Sequence, residues 1–419
     1  MSAPPPVVVQ KYGGTSVASS ARIRAIAERV ARARRHSPRL VVVLSAMGKT
    51  TDDLVALAHA VSDAPSGREM DLLLATGEQV SVSLLGLALQ HKAIPAISLT
   101  ASQCGIRTDD AFNIARIESI DTRRILDELD RGRVVIITGF QGVTRDHEVT
   151  TLGRGGSDIT GAAVAAALGA SVCEICTDVD GVLSADPRAV PHATRRRGIS
   201  YEEAIEMASS GAKVLHPRAA EVCMAYRIPI HVRSSFHDGD GTWIRGGDEM
   251  VMEQAAVVGV SCDKKIAKVT LTDVPDRPGL AAEVFRDLAA RAISVRLIIQ
   301  GASAEGLGRI TFVLDDEYVD GAMRLVEDWT ARGLAQDGLV DRDVAKISIV
   351  GSRLASTPGL AARMFAVLAR EGINIDCISS SEMKIACVIA DEHADRAVRA
   401  VHDEFFPPAA AAPDGREAT

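Results

Sequence analysis

A chain of 419 residues is too long for one ordinary core and implies two or three domains, and 47% hydrophobic with 24% charged residues is a soluble globular balance. The formal charge of −8 offers no basic face for nucleic-acid phosphates or an anionic membrane, and the one basic run, Arg195 to Arg197, reads as a solvated turn. The opening "MSAPPPVVVQ" lacks the basic start and apolar core of a signal peptide, and no run of about 18 uninterrupted apolar residues occurs, so a cytoplasmic location is expected.

Aromatic residues are only 3% of the chain, which leaves the core to Val, Ile, Leu and Ala. From residue 7 to about 235, "VVVQKYGG", "RLVVVLSAMG", "IPAISL", "RVVIITGFQG", "SVCEICTDVDG" and "IPIHVRS" read as strands. Continuous Val and Ile runs ending in Gly, Ser or Asp are typical of parallel strands buried on both faces. Helical patterns fall between them at residues 21–35, 51–62, 116–131 and 159–168. This alternation implies a wound α/β sheet, with a ligand beyond the carboxyl ends of its strands. Seven cysteines without framework spacing fit reduced thiols. Cys173 and Cys176 form a CxxC, but in a strand those positions face opposite sides, so two buried strand cysteines are expected rather than a redox or metal pair.

After "SSFHDGDGTWIRGGD", residues 266–301 and 345–381 repeat each other: strand, a loop carrying PGLAA, helix, strand. Each continues into another strand and a helix, at residues 320–330 and 391–403, the order of a small split βαβ module. The tail from Pro407, "PPAAAAPDGREAT", is low in complexity and is expected to be disordered.

Three loops close predicted strands: "KYGGTS" (Lys11 to Ser16), "SAMGKTTDD" (Ser45 to Asp53) and "GRGGSD" (Gly153 to Asp158). Glycines let backbone amides approach an anion, Lys11 adds a point charge, and the Arg154 fork suits a carboxylate. Neither GxxxxGK[ST] nor GxGxxG occurs. Any one loop is explained by a tight turn. Their joint placement with lysine, arginine and acids describes a crevice for an anionic phosphate donor and an anionic acceptor.

KYGGTS, SAMGKTTDDL, LLLATGEQVS, ITGFQG, TTLGRGGSD, TDVDGVLSADPR and GAKVLHP, in that order, resemble an aspartokinase of the amino acid kinase superfamily. The likeness runs over residues 7–406 and is nearest the monofunctional actinobacterial type. It implies an amino acid kinase fold, a mostly parallel sheet sandwiched by helices, over residues 1–248. Two tandem ferredoxin-like (α+β) ACT domains would follow at 249–340 and 341–406, with a disordered tail at 407–419. The implied reaction is ATP plus L-aspartate to ADP plus 4-phospho-L-aspartate, opening the route to lysine and diaminopimelate, threonine and methionine.

By the same likeness Lys11 and Asp158 are catalytic, Lys11 bridging the transferring phosphoryl group and Asp158 orienting Lys11 or the metal. Thr51, Glu78, Arg154, Gly155, Gly156 and Ser157 hold aspartate, with Glu78 facing its ammonium and Arg154 its carboxylate. Lys11, Gly13, Gly14, Ser45, Thr177, Asp178, Asp186, Pro187, Arg188 and Lys213 fall on the ATP side, with Gly13 and Gly14 donating amides. Mg²⁺ is expected on the phosphates and not in a protein metal site. Read without the likeness, Glu78 is a first-turn helix acid, Asp186 and Pro187 a turn, and Lys213 a surface lysine; His216 reads as structural.

The likeness also implies amino-acid effectors such as lysine and threonine, bound between ACT modules of different polypeptides. The positions concerned are Asp276, Pro278, Gly279, Ser294, Arg296 and Gln300 in the first module, with Asn374, Ile375 and Ser380 in the second. It implies a homo-oligomer, or an α2β2 assembly whose ACT subunit starts internally, for which Met252 is placed. The chain departs from the family pattern at "TASQCG" (Thr100 to Gly105) and "FNIAR" (Phe112 to Arg116), on the acceptor side. In the first ACT module it has Ser294 and Arg296 where the family carries Asn and Asp. Losing an acceptor for an effector's ammonium and adding a like charge costs about 1–3 kcal/mol, so weakened or altered feedback is expected. Two other readings stay open: a sister kinase for another amino-acid carboxylate, and an inert amino-acid sensor.

Overall fold

The computed structural model describes residues 4–212, 214–246, 256–302 and 306–407. Two compact units emerge. One holds the described residues up to Leu183, with Thr194–Ser209 and 214–246; the other holds Ser184–Ala193, Ser210–Ala212 and the described residues from 256 onward.

In the first unit the elements run β1 (Val7–Tyr12), α1 (Ser20–His36), β2 (Arg39–Leu44), α2 (Thr50–Val61), α3 (Gly67–Leu74), α4 (Thr76–His91), β3 (Ala96–Leu99), β4 (Ile106–Thr108) and β5 (Ile117–Ile120). They continue α5 (Arg123–Asp130), β6 (Val134–Thr138), β7 (Gln141–Val143), β8 (Val149–Thr151), α6 (Gly156–Ala167), β9 (Val172–Thr177), β10 (Gly198–Ser200), α7 (Tyr201–Ser209), α8 (Pro217–Ala225), β11 (Ile230–Ser234) and β12 (Thr242–Arg245). The Val and Ile runs assemble into an eight-stranded sheet of order β10-β12-β11-β9-β1-β2-β6-β3. From β11 to β3 all neighbours are parallel; β12 runs antiparallel to β11. Val9, Val41 and Val42 are wholly buried, each worth about 1.5–3 kcal/mol of apolar burial.

Tyr12, Val42 and Cys176 pack with Ile26 and Val30 of α1 and Leu85 and Leu89 of α4 on one face. Cys173 also lies buried, and the described cysteines are all free thiols. β1 pairs in parallel with both β2 and β9, and in open α/β sheets ligands bind beyond the carboxyl ends of such central strands. A second sheet, β5-β4-β7-β8, stands apart. The stretch Gly67–His91 is long and apolar enough to cross a membrane, but half of its apolar window is buried, as in a core helix.

Two expectations change. Residues 116–131 are not one helix: 117–120 form β5, and α5 starts after Asp121, whose carboxylate accepts the Arg123 amide at 3.1 Å and pairs with its guanidinium. The helix expected near residue 159 begins at Gly156, so Gly156, Ser157 and Asp158 form its first turn.

The second unit contains β13 (Gly259–Asp263), β14 (Ile266–Pro275), α9 (Leu280–Ala290), β15 (Val295–Ala302), β16 (Leu307–Asp315), α10 (Val319–Ala331) and β17 (Asp337–Asp341). Then follow β18 (Val344–Val350), α11 (Leu360–Arg370), β19 (Cys377–Ser380), β20 (Lys384–Ala390) and α12 (Ala394–Phe405). Sheet β15-β16-β14-β17 is backed by α9 and α10, with Phe312 and Trp329 fully buried in its core. Sheet β13-β18-β20-β19 is backed by α11 and α12 around Ile347, Met364, Leu368 and Val401. Ile266, Val313, Val344 and Val388 join the two modules.

Two boundaries therefore move. β13, expected in the first module, pairs antiparallel with β18 of the second, Val260 opposite Ile349. Segment Ser184–Ala193, expected within the kinase span 1–248, belongs to the second unit, with Ala185 and Val190 in the second module's core. The expected tail lies outside the described residues beyond Pro407, as does Met252.

Candidate active site

The carboxyl end of β1 carries Lys11, whose Nζ lies 2.5 Å from Asp158 Oδ1 in the first turn of α6. Both side chains are nearly buried, at 11% and 12% exposure, so this pair sits in a low dielectric and neither charge can be removed cheaply. The backbone amide of His216, just ahead of α8, donates to Asp158 Oδ2 at 3.3 Å. Gly155 caps α6 with φ +73°, and a Cβ there would lie 2.3 Å from the His216 ring. Glycine is thus required by both conformation and space. His216 acts as packing and as a backbone donor.

Beyond Lys11 the chain turns through Gly13 and Gly14. The Gly13 amide is already used, donating to the Cys176 carbonyl at 3.3 Å, which corrects the expectation that it faces a phosphate. Gly14, the first residue of a 3-10 turn, presents an amide without a partner in that turn. A Cβ on Gly14 would lie 3.1 Å from the Ala46 carbonyl, so glycine eases the close approach of this turn to the loop after β2. There Gly48 donates its amide to the Gly14 carbonyl at 3.0 Å, and the Ser45 amide donates to Tyr12.

The Ala46 amide donates to Glu78 Oε1 at 3.0 Å, which brings the first turn of α4 to the same wall. Glu78 is 2% exposed, and its Oε2 has no hydrogen-bond partner. Burial pushes its carboxyl up to about 7 from 4.5. Such an orphaned buried oxygen is an acceptor waiting for a donor. Between pH 4.5 and 7 the folded protein binds the extra proton, so stability falls as pH rises through that window. Above it the carboxylate costs on the order of 3 kcal/mol. Glu78→Gln is accordingly expected to match the parent in thermal unfolding at pH 5 and to be the more stable protein at pH 8. An unfolding-midpoint gap that does not widen with pH would contradict the buried, unpaired state.

Arg154 and Thr51 do not join this contact chain. Arg154 is exposed in the turn before α6 and makes no ion pair among the described residues. Thr51 is the second residue of α2, and Ser157 lies buried in the first turn of α6 with Gly156. Thr177, at the end of β9, donates its hydroxyl to Asp178 at 3.1 Å, while its carbonyl accepts from Ser235 at 2.7 Å. Asp186 and Arg188 belong to the second unit and pair with each other, at 2.6 Å and 3.0 Å, across Pro187. Lys213 lies outside the described residues.

Asp71 is a residue the sequence reading missed. Fully buried, it accepts from the Thr151 amide at 2.8 Å, the Thr151 hydroxyl at 2.6 Å and the Asn113 amide at 2.9 Å. It ties α3 to β8 and to the loop bearing Asn113. The signal was an acid set directly before the apolar run "LLLA" at residues 72–75.

In the first ACT module Asp276 and Pro278 lie between β14 and α9, and Gly279 caps α9 with φ +94°. Ser294 precedes β15, which carries Arg296 and Gln300. Asn374 and Ile375 precede β19, which ends at Ser380. Arg296 pairs in bidentate fashion with Asp315 of β16, at 2.6 Å and 3.0 Å. Its charge is therefore already met, which removes the like-charge part of the sequence argument while leaving the lost acceptor.

The amino acid kinase family matches residues 6–234, and ACT domains match residues 268–320 and 347–405. The aspartokinase of Thermus thermophilus is 46% identical over 402 residues, covering 95% of this chain and 98% of the relative. Aspartokinase 2 of Bacillus subtilis is 46% identical over 400 residues, covering 95% and 97%. The crystal structure of E. coli aspartokinase III in complex with aspartate and ADP, in the R-state, superposes with a TM-score of 0.82 at 29% identity, over 96% of this chain and all of that one. With a mostly parallel sheet, a lysine–aspartate pair at its carboxyl edge and two split βαβ modules later in the sequence, the chain belongs to the aspartokinases of the amino acid kinase family.

Proposed function

We propose that the crevice at the ends of β1, β2 and β9 transfers the γ-phosphoryl group of ATP to the side-chain carboxylate of L-aspartate, giving ADP and 4-phospho-L-aspartate. A carboxylate oxygen attacks phosphorus as the bond to the ADP oxygen breaks. The nucleophile is already ionised, so no general base is needed and the work is positioning and neutralising charge. Lys11 meets the transferring group, Asp158 holds Lys11 in place, and the Gly14 amide and the first turn of α6 complete an anion-binding edge. Mg²⁺ arrives on the ATP phosphates as part of the substrate. Ser45, Thr177 and Asp178 line the nucleotide side.

On the acceptor side Glu78 takes the aspartate ammonium, Arg154 its carboxylate, and Thr51 and Ser157 further hydrogen bonds. The observation that carries this reading is the buried Lys11–Asp158 pair with the orphaned Glu78 oxygen behind it. The test is ADP release from MgATP with aspartate, glutamate or other amino acids, in the parent and in Arg154→Ala. Release with aspartate that fails in the variant supports the reading. Release only with another acceptor identifies a sister kinase, and binding without turnover an amino-acid sensor.

The ACT modules support allosteric regulation, and the reading extends to a cytoplasmic enzyme that works as a homo-oligomer or with a separate ACT subunit. Lysine or threonine would act at β15 and β19, the outer strands of their sheets. With Ser294 and a self-paired Arg296 in place of Asn and Asp, feedback is expected to be weak. Concerted inhibition by micromolar lysine and threonine would refute that expectation.

A further inference from the structure

His192, His402 and Asp403 converge in the second unit. His192 Nε2 lies 2.7 Å from Asp403 Oδ1, and His402 Nδ1 lies 3.5 Å from the same oxygen. The three ligand atoms fall within 4.8 Å of one another, a spacing that one ion can span with small rotations. His402 is fully buried on α12, stacked on Phe406 at 5.0 Å between ring centroids and meeting the His192 ring edge-on at 5.2 Å. Its ring is therefore held in one orientation. Its other nitrogen, Nε2, is 2.8 Å from the Ser184 hydroxyl.

That last contact points to a ligand. A metal-binding imidazole commonly has its far nitrogen fixed by an outer partner, which sets the tautomer and aims the near nitrogen. With Nε2–H donating to Ser184, the Nδ1 lone pair faces a carboxylate oxygen, and a cation between them resolves two facing acceptors. The opposite tautomer would rely on an Nδ1–H···O contact of 3.5 Å, longer than a good hydrogen bond. His192 and Asp403 are 44% and 48% exposed, so an ion has a route in and room for water in the remaining position.

We propose that His192, His402 and Asp403 form a binding site for one divalent transition-metal ion of the Zn²⁺ class, with Ser184 as the outer partner of His402. Two imidazoles and one carboxylate suit Zn²⁺ and Co²⁺ and fit poorly with the oxygen preference of Mg²⁺. An ion here clamps segment Ser184–Ala193 to α12, adding a bond to the packing of Ala185 and Val190. It has no part in phosphoryl transfer.

The test is a Co²⁺ titration of the full chain followed by visible absorption. One equivalent giving the strong d–d bands of a four-coordinate complex, bleached by Zn²⁺, is the expected result. His192→Ala, at a surface position that leaves the core intact, should lose the bands, and Asp403→Asn should weaken binding by about tenfold or more. Absence of four-coordinate bands in the parent, or equal bands and affinity in His192→Ala, overturns the site.

Discussion

Lys11→Met is expected to lower kcat by about 10²–10³-fold, the range found when one donor aimed at developing charge is removed. Its second effect is structural. Asp158 would be left 12% exposed with no counter-ion, and breaking a buried pair in this way costs about 3–5 kcal/mol. The two effects separate in the double variant Lys11→Met/Asp158→Asn. Removing the stranded carboxylate should restore most of the unfolding midpoint and none of the rate. A double variant that regains turnover would show that Lys11 serves the fold alone. Unchanged stability in the single variant would show that the pair is not buried in solution.

Arg154→Ala is expected to do the reverse, changing binding and leaving the fold alone. The side chain is exposed and has no ion pair among the described residues, so its removal should shift stability by no more than about 0.5 kcal/mol. A bidentate contact to a carboxylate is worth about 3 kcal/mol, which predicts a loss of about a hundredfold in kcat/KM for aspartate. The KM for ATP should hold. Arg154→Lys should recover only part of the loss, because an ammonium cannot form the planar fork. Equal aspartate KM values in parent and Arg154→Ala would remove Arg154 from the acceptor site. If Glu78 meets the ammonium, aspartate KM should also rise as pH falls below about 7, where Glu78 gains its proton. Glu78→Gln should flatten that profile.

The central sheet was legible because buried parallel strands announce themselves as unbroken runs such as "RVVIIT". The glycine loops were legible because their backbone geometry demands a particular residue. What stayed hidden depends on distant pairing. Nothing in "GVSCD" says that it will join a strand 87 residues later by pairing Ser261 with Ser348 instead of its neighbour β14. The partnership of Arg296 with Asp315 is likewise set by register between β15 and β16, not by local composition. Residues 116–131 misled because an apolar spacing compatible with a helix spans both β5 and α5, and only the Asp121 side chain marks the break. Asp71 was masked by its apolar surroundings, although an acid wholly removed from water must have donors around it.

The pairing of β13 with β18 makes the first ACT module an insertion, nested in sequence inside the second. The chain passes between them twice, through residues 264–265 and again through 342–343, so two short crossings replace a single swivel. Rotation of one sheet against the other would have to shear both crossings at once, and a displacement felt by either module is delivered to its companion as a rigid push. The outer module also cannot close until the inner one has been synthesised. A polypeptide begun at Met252 would start ahead of Gly259 and so keep the strand its last sheet needs, whereas one begun after Asp263 would leave β18 as a raw edge.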